Sequence, residues 1–77
     1  MSSQKAEQIY DARQDLRSLK DYILKLEVQQ SMGRAQGLSE NAQLEERIAA
    51  ARSKREQTEA EIAQMEEAYE EWLREAG

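Results

Sequence analysis

The side chains that could do chemistry in this sequence are carboxylates, hydroxyls and amines. Asp and Glu together number 16 and Lys and Arg number 11, whereas His and Cys are absent. Without imidazole or thiolate the chain cannot form a Ser-His-Asp triad, an activated cysteine or a zinc site of the usual kind. Its three glycines do not form a phosphate-binding loop. We therefore predict a non-enzymatic protein that uses no metal and no cofactor.

The carboxylates are concentrated at one end of the chain. Residues 56 to 77 hold eight Glu and one Arg, a net charge of −7, whereas residues 1 to 55 hold eight acidic and ten basic residues. Nucleic acid binding requires Lys and Arg that neutralise phosphates, so we expect no nucleic acid partner. Two interpretations of the acidic segment remain open: a solvated helix face, or a docking site for a basic partner.

Two amphipathic helices are expected to carry these charges. The sequence has no proline, and Ala, Glu, Gln, Arg and Leu, which are strong helix formers, are frequent in it. Apolar positions recur at steps of three and four in each half, which places them on one stripe of a helix, here called the seam. The helix 1 seam is Ile9, Ala12, Leu16, Leu19, Ile23 and Leu26. The helix 2 seam is Leu44, Ile48, Ala51, Arg55, Thr58, Ile62, Met65, Tyr69, Trp72 and Ala76.

A glycine-containing turn separates the two patterns. Gly33 or Gly37 is expected to end helix 1, and Ser39 or Asn41 to cap helix 2. We predict an all-α fold with one domain over residues 1–77. Its parts are helix 1 at about 4–31, a turn at about 32–38 and helix 2 at about 39–75. The architecture is a two-helix antiparallel coiled-coil hairpin, which can dimerise into a four-helix bundle; a parallel dimer with one long rod is the alternative.

The two seams suggest how the helices align. In an antiparallel pair the numbers of facing residues have a constant sum, and a sum of 74 centres the turn on Gly37. An alignment shifted by one heptad is the alternative. The sum of 74 pairs Leu26 with Ile48, Ile23 with Ala51, Leu19 with Arg55, Leu16 with Thr58, Ala12 with Ile62, and Ile9 with Met65.

In the middle of this alignment, the seam residues of helix 2 are polar. Arg55 and Thr58 face Leu19 and Leu16, and we expect the guanidinium to reach water or to pair with an acid such as Asp15. This layer either fixes the helix alignment at some cost in stability or leaves a notch that a partner fills.

Large apolar side chains at the far end of helix 2 have little to cover them. Tyr69, Trp72 and Leu73 lie beyond the last strong apolar residue of helix 1. Aromatic side chains are favoured interface anchors, so these three are candidate partner-binding residues. The alternative is packing against Ala6, Ile9 and Tyr10 within the chain. Leu24 and Val28, four residues apart and off the seam, form a second, smaller candidate patch.

The turn sequence Gly37-Leu38-Ser39-Glu40-Asn41-Ala42 resembles the tip of the coiled-coil hairpin in Gre-type transcript-cleavage factors. In that family the hairpin enters the secondary channel of RNA polymerase, and two tip acids help to hold a catalytic metal. Only the glutamate carries over, to Glu40, because Gly37 occupies the position of the aspartate. The resemblance implies, as an alternative function, a regulator that acts on RNA polymerase through the tip.

The leading expectation is a small coiled-coil interaction protein that serves as an adaptor, a chaperone-like protein or an assembly subunit. Its partner is a protein, helical in the contact region, in a homo-oligomer or a hetero-complex. A purely structural, self-associating coiled coil is a further alternative. The longest apolar run, from Ile48 to Ala51, is far too short to cross a membrane, and Met1 to Lys5 has no apolar signal core. We therefore expect no membrane association and a cytoplasmic location.

Overall fold

The protein is a helical hairpin. A computed structural model describes residues 2–37 and 41–76, and helices α1 (Ser2–Ala35) and α2 (Ala42–Ala76) account for nearly all of them. The molecule is 60 Å long and 15 by 14 Å across. The start of α1 contacts the end of α2, since the ammonium group of Lys5 lies over the ring of Trp72, so the helices are antiparallel. The prediction of an all-α helical hairpin is confirmed.

Helix α1 ends later than the sequence suggested. It continues through Gly33 to Ala35, and Gly37 then adopts a positive φ of 75°, the left-handed conformation that terminates many helices. The amide of Gly37 donates to the carbonyl of Arg34 at 3.0 Å. The expected turn at 32–38 therefore began too early, because a glycine inside a helix lowers its stability without ending it.

Asn41 caps helix α2. Its side-chain oxygen accepts hydrogen bonds from the amides of Gln43 at 3.0 Å and Leu44 at 3.2 Å. These amides have no partner within the helix, and an Asn at the position before the first turn is well suited to accept from them. Ser39, the other expected cap, lies outside the described residues.

Burial follows the predicted seam. Among the residues whose burial the structure describes, six apolar residues form the core, and every one of them is a seam position: Ile9, Ile23, Leu26, Ile48, Ala51 and Ile62. The seam residues nearest the turn that belong to this core, Ile23, Leu26, Ile48 and Ala51, are all at most 7% exposed. The seam residues of the polar middle are only half-buried. The core is therefore tightest near the turn.

Two ion pairs between the helices flank the seam. Arg13 lies 3.1 Å from Glu66, and Arg52 lies 3.7 Å from Glu27. The numbers of the paired residues add up to 79 in both cases, although the pairs are two heptads apart on each helix. The helices therefore keep one alignment along this length, without a slip between the two pairs. Because all four side chains are well exposed, each pair contributes little to stability and mainly favours this alignment.

The sums of 79 for the two ion pairs, and the sum of 77 for Lys5 and Trp72, exceed the predicted 74, so the predicted alignment is wrong by about one helical turn. The reason is that α1 continues to Ala35 and α2 begins at Ala42, which centres the turn beyond Gly37.

The two glycines near the turn should respond oppositely to alanine. Gly33→Ala should raise the free energy of unfolding by about 1 kcal/mol, since Gly33 is helical and an added Cβ meets no atom within 4 Å. Gly37→Ala should lower it by about 1 kcal/mol, because its φ of 75° strains any side chain. Urea unfolding followed by circular dichroism measures both. Equal effects of the two substitutions would contradict this position for the end of α1.

Candidate interaction site

The aromatic residues at the end of α2 form a stacked pair. Tyr69 and Trp72 are one helical turn apart, and their ring centroids lie 6.0 Å apart with an angle of 19° between the planes. The ammonium group of Lys5 lies 5.2 Å from the centre of the Trp72 ring, within cation–π range. Both aromatic side chains are half-buried. The start of α1 thus covers part of this end, as the intramolecular alternative expected.

A groove remains open between the helices at this end, and it is here called the open-end groove. Its floor and rim come from both helices: Ala6, Ile9, Tyr10, Arg13, Glu66, Tyr69, Glu70 and Leu73. Tyr10 is 62% exposed and Leu73 is 46% exposed, so two large side chains stand in solvent beside the groove. The packing of α1 on α2 therefore leaves accessible apolar surface at the place where the sequence suggested a partner site.

A second groove, here called the acidic groove, continues from the first. It is lined by Leu16, Glu59, Ile62, Ala63, Glu66, Glu67 and Glu70. Glu66 and Glu70 line both grooves, so the two form one continuous surface. The apolar side chains at the base of this surface come from both helices, and four glutamates surround the acidic part.

The structure separates the residues of the predicted polar notch. Leu19 and Thr58 line one groove together with Asp15, whereas Leu16 lines the acidic groove. The hydroxyl of Thr58 donates to the carbonyl of Lys54 at 2.8 Å, which satisfies it within its own helix. The four residues therefore do not form one site.

Arg55 does not pair with Asp15. Its Nε lies 3.8 Å from Glu59, one turn further along the same helix. The Arg55 side chain is 33% exposed, so its methylenes carry the guanidinium to water. This was one of the two outcomes expected for this side chain. Glu59 lies four residues after Arg55, a spacing that places two side chains next to each other on one helix. Arg55 therefore pairs with Glu59 on α2.

The second predicted patch, on the outer face of α1, extends further than expected. Leu24 is 61% exposed and Val28 is 48% exposed. Met32 follows four residues later at 56% exposure and was not predicted. The spacing of four places the three on one side of the helix, which we call the outer strip.

The remaining predicted site residue, Glu40, lies outside the described residues. The Gre-like interpretation of the tip therefore stays a prediction. Among residues 2–37 and 41–76, no group of three or more acidic side chains is placed to hold a metal ion. Neither described helix is long and apolar enough to cross a membrane.

Besides Ala6 and Ile9, four residues that line the open-end groove were missing from the predicted site: Tyr10, Arg13, Glu66 and Glu70. The seam pattern could not find them because they lie beside the seam rather than on it. The sequence did contain an indication that Arg13 and Glu66 lie at this groove. They have opposite charges, and their numbers add up to the same value as those of Glu27 and Arg52. A search for complementary charges flanking the seam would have placed both at this groove.

Comparisons with known proteins give no relative from which a role can be transferred. No family model matches the chain, and no curated protein and no solved structure matches it either.

Trp72 and its neighbour Leu73 should differ in their effect on stability. Trp72→Ala removes a half-buried ring that stacks on Tyr69 and lies under Lys5, so the free energy of unfolding should fall by about 1–2 kcal/mol. Leu73→Ala removes a side chain that is 46% exposed and should lower it by about 0.5 kcal/mol. Chemical denaturation followed by circular dichroism reports both. A larger loss for Leu73 than for Trp72 would contradict the geometry.

Proposed function

We propose that this chain is a non-enzymatic interaction protein that binds a helix of a protein partner in its open-end groove. In this role it acts as a small adaptor, a chaperone-like protein or an assembly subunit. One observation carries the proposal: Tyr10 and Leu73, exposed at 62% and 46%, stand on two rigid helices beside a groove that contains Ile9 and Tyr69. Apolar surface of this kind, rimmed by polar residues, is typical of a binding groove.

The groove is suited to binding because little must be reorganised when a partner docks. Tyr69 and Trp72 are already stacked, and Lys5 already lies over the indole, so these side chains lose little rotamer freedom on association. Tyrosine and tryptophan bury a large area for few rotatable bonds. Tyr69 and Leu73 line the groove, and Trp72 stacks on Tyr69. We assign direct partner contact to Tyr69 and Leu73 and a positioning role to Trp72.

The residues of the predicted polar notch would add a second, weaker contact region. Leu16 belongs to the acidic groove and extends the apolar base beyond the open end. Leu19 and Thr58 face a different groove, and Arg55 is held beside Glu59. Of the four, Leu16 is the one whose position supports contact with the same partner.

The outer strip favours a second candidate function, a structural self-associating coiled coil. Leu24, Val28 and Met32 are between 48% and 61% exposed and lie on the side of α1 turned away from the seam. Pairing two hairpins through these strips would bury them and generate a four-helix bundle. The strip and the open-end groove are separate surfaces, so each can be disrupted without the other.

Site-specific photo-crosslinking in cells distinguishes the two candidates. A benzophenone amino acid at Tyr10 should crosslink to a partner protein, and the same group at Tyr22 should not, because Tyr22 is 47% exposed but lines none of the described grooves. Leu73→Asp should abolish the crosslink from position 10, and Leu24→Asp should leave it unchanged. Mass spectrometry identifies the crosslinked protein.

The same experiment can overturn the proposal. Identical crosslinks from positions 10 and 22 would mean that the open-end groove has no special role. Crosslinks only between copies of this chain, lost in Leu24→Asp and kept in Leu73→Asp, would establish the self-associating coiled coil instead.

A further inference from the structure

The open-end groove and the acidic groove together form one elongated surface along the hairpin. They share Glu66 and Glu70, and they run from Leu73 at one end to Glu59 at the other. Because a helix rises 1.5 Å per residue, this stretch of α2 is about 21 Å long. That length equals about four turns of a helix laid alongside. The surface therefore has the dimensions of a site for a third helix.

The apolar base of this surface has two parts, and the residues of the Arg13–Glu66 ion pair lie between them along the two helices. Tyr69 and Leu73 with Ile9 and Tyr10 provide it at the open end. Leu16, Ile62 and Ala63 provide it in the acidic groove. A straight helix with an apolar stripe could contact both parts at once, because Ile62, Tyr69 and Leu73, at steps of seven and four, lie on one side of α2. The apolar base favours the binding of a helix at this surface, and the charges on the rim determine which kind of helix binds.

The rim is acidic and only partly neutralised by the chain itself. Arg13 pairs with Glu66 at 3.1 Å, and Arg55 lies 3.8 Å from Glu59. Within the part of the chain that the structure describes, Glu67 and Glu70 have no ion-pair partner. Both are exposed, and both line the acidic groove. An occupant of the groove would therefore meet two carboxylates that are available for pairing.

We propose that the occupant is a basic amphipathic helix of a partner protein, about four turns long, which completes a three-helix bundle with α1 and α2. This inference rests on the proposed function and specifies the chemistry of its partner. Leucine-like side chains of that helix contact the apolar base. Lys and Arg residues flank this apolar stripe, lay their methylenes along the rim and place their charged ends beside Glu67 and Glu70.

The charge of the surface disfavours the other occupants. A second copy of the chain that used the same surface would bring its own Glu67 and Glu70 close to those of the first, and like charges repel. Residues 56 to 77 carry a net charge of −7, which also repels phosphates of nucleic acids and anionic lipids. A basic protein helix is the occupant that satisfies both the apolar base and the acidic rim.

Two synthetic helical peptides of about 18 residues, long enough to span the surface at 1.5 Å per residue, test the inference. Both carry the same leucine stripe and differ only in flanking residues, Lys in one and Glu in the other. Fluorescence anisotropy of the labelled peptides gives their affinities for the full-length chain. The Lys peptide should bind about ten-fold more tightly than the Glu peptide at low salt. This advantage should shrink at about 0.5 M salt, where the screening length is about 4 Å.

Matched variants locate the binding. The double substitution Glu67→Gln and Glu70→Gln should weaken the Lys peptide by about three- to ten-fold. The control, Glu46→Gln with Glu56→Gln, makes the same change in net charge at two exposed residues that line neither groove, and it should leave the affinity unchanged. Leu73→Ser should also weaken binding, whereas Leu24→Ser should not.

The outcomes separate this inference from the proposed function. If the two peptides bind equally well and Leu73→Ser abolishes the binding of both, the inference that the partner helix is basic is overturned. The groove then remains a helix-binding site. Equal weakening by the two glutamine pairs shows nonspecific attraction and overturns the inference. Failure of both peptides to bind also overturns it, and the crosslinks from position 10 then decide the proposed function alone.

Discussion

Within residues 2–37 and 41–76, each helix has only one neighbour, and this constraint determines the rest of the described structure. A helix in a two-helix hairpin can bury a single stripe, so the core is limited to seam positions. No second layer exists to cover a side chain that leaves the stripe. The polar middle of the seam is tolerable for the same reason, because Arg55 can reach water from a half-buried position. Apolar residues beside the seam stay exposed unless another molecule covers them.

The two ends of the hairpin differ in how far the neighbouring helix covers their apolar side chains. Near the turn, Ile23, Leu26 and Ile48 are at most 5% exposed. At the open end the packing relies on Lys5, Ile9 and the stacked aromatic pair, and Leu73 remains about half exposed. The stable end and the accessible end are thus separated along the length of the molecule.

The sequence predicted the helical hairpin fold well. Hydrophobic spacing was sufficient for the seam because a two-helix protein has one dominant packing interaction, and all six core residues were seam positions. The end of α1 was harder to predict. Gly33 and Gly37 are equally plausible helix ends in one dimension, and only the backbone conformation shows that Gly37 has the positive φ.

The details of the site depended on side-chain direction, which spacing alone does not give. Leu16 and Leu19 are both seam residues, yet they face separate grooves. Tyr10 and Glu70 lie beside the seam, and they can be recognised as groove residues only when the two helices are placed together. The continuity of the open-end and acidic grooves is a property of the two helices jointly, and no single segment of sequence contains it.

The open-end groove exists because of how this end of the hairpin is packed, with Trp72 covered by Lys5 and Leu73 left facing the groove. Nuclear Overhauser contacts of the Trp72 indole in the isotopically labelled protein test this packing without any substitution. We expect contacts from the indole protons to the Lys5 methylenes, since the Lys5 ammonium lies 5.2 Å from the ring centre, and to the Tyr69 ring. An indole with no contact to any α1 residue would contradict the account.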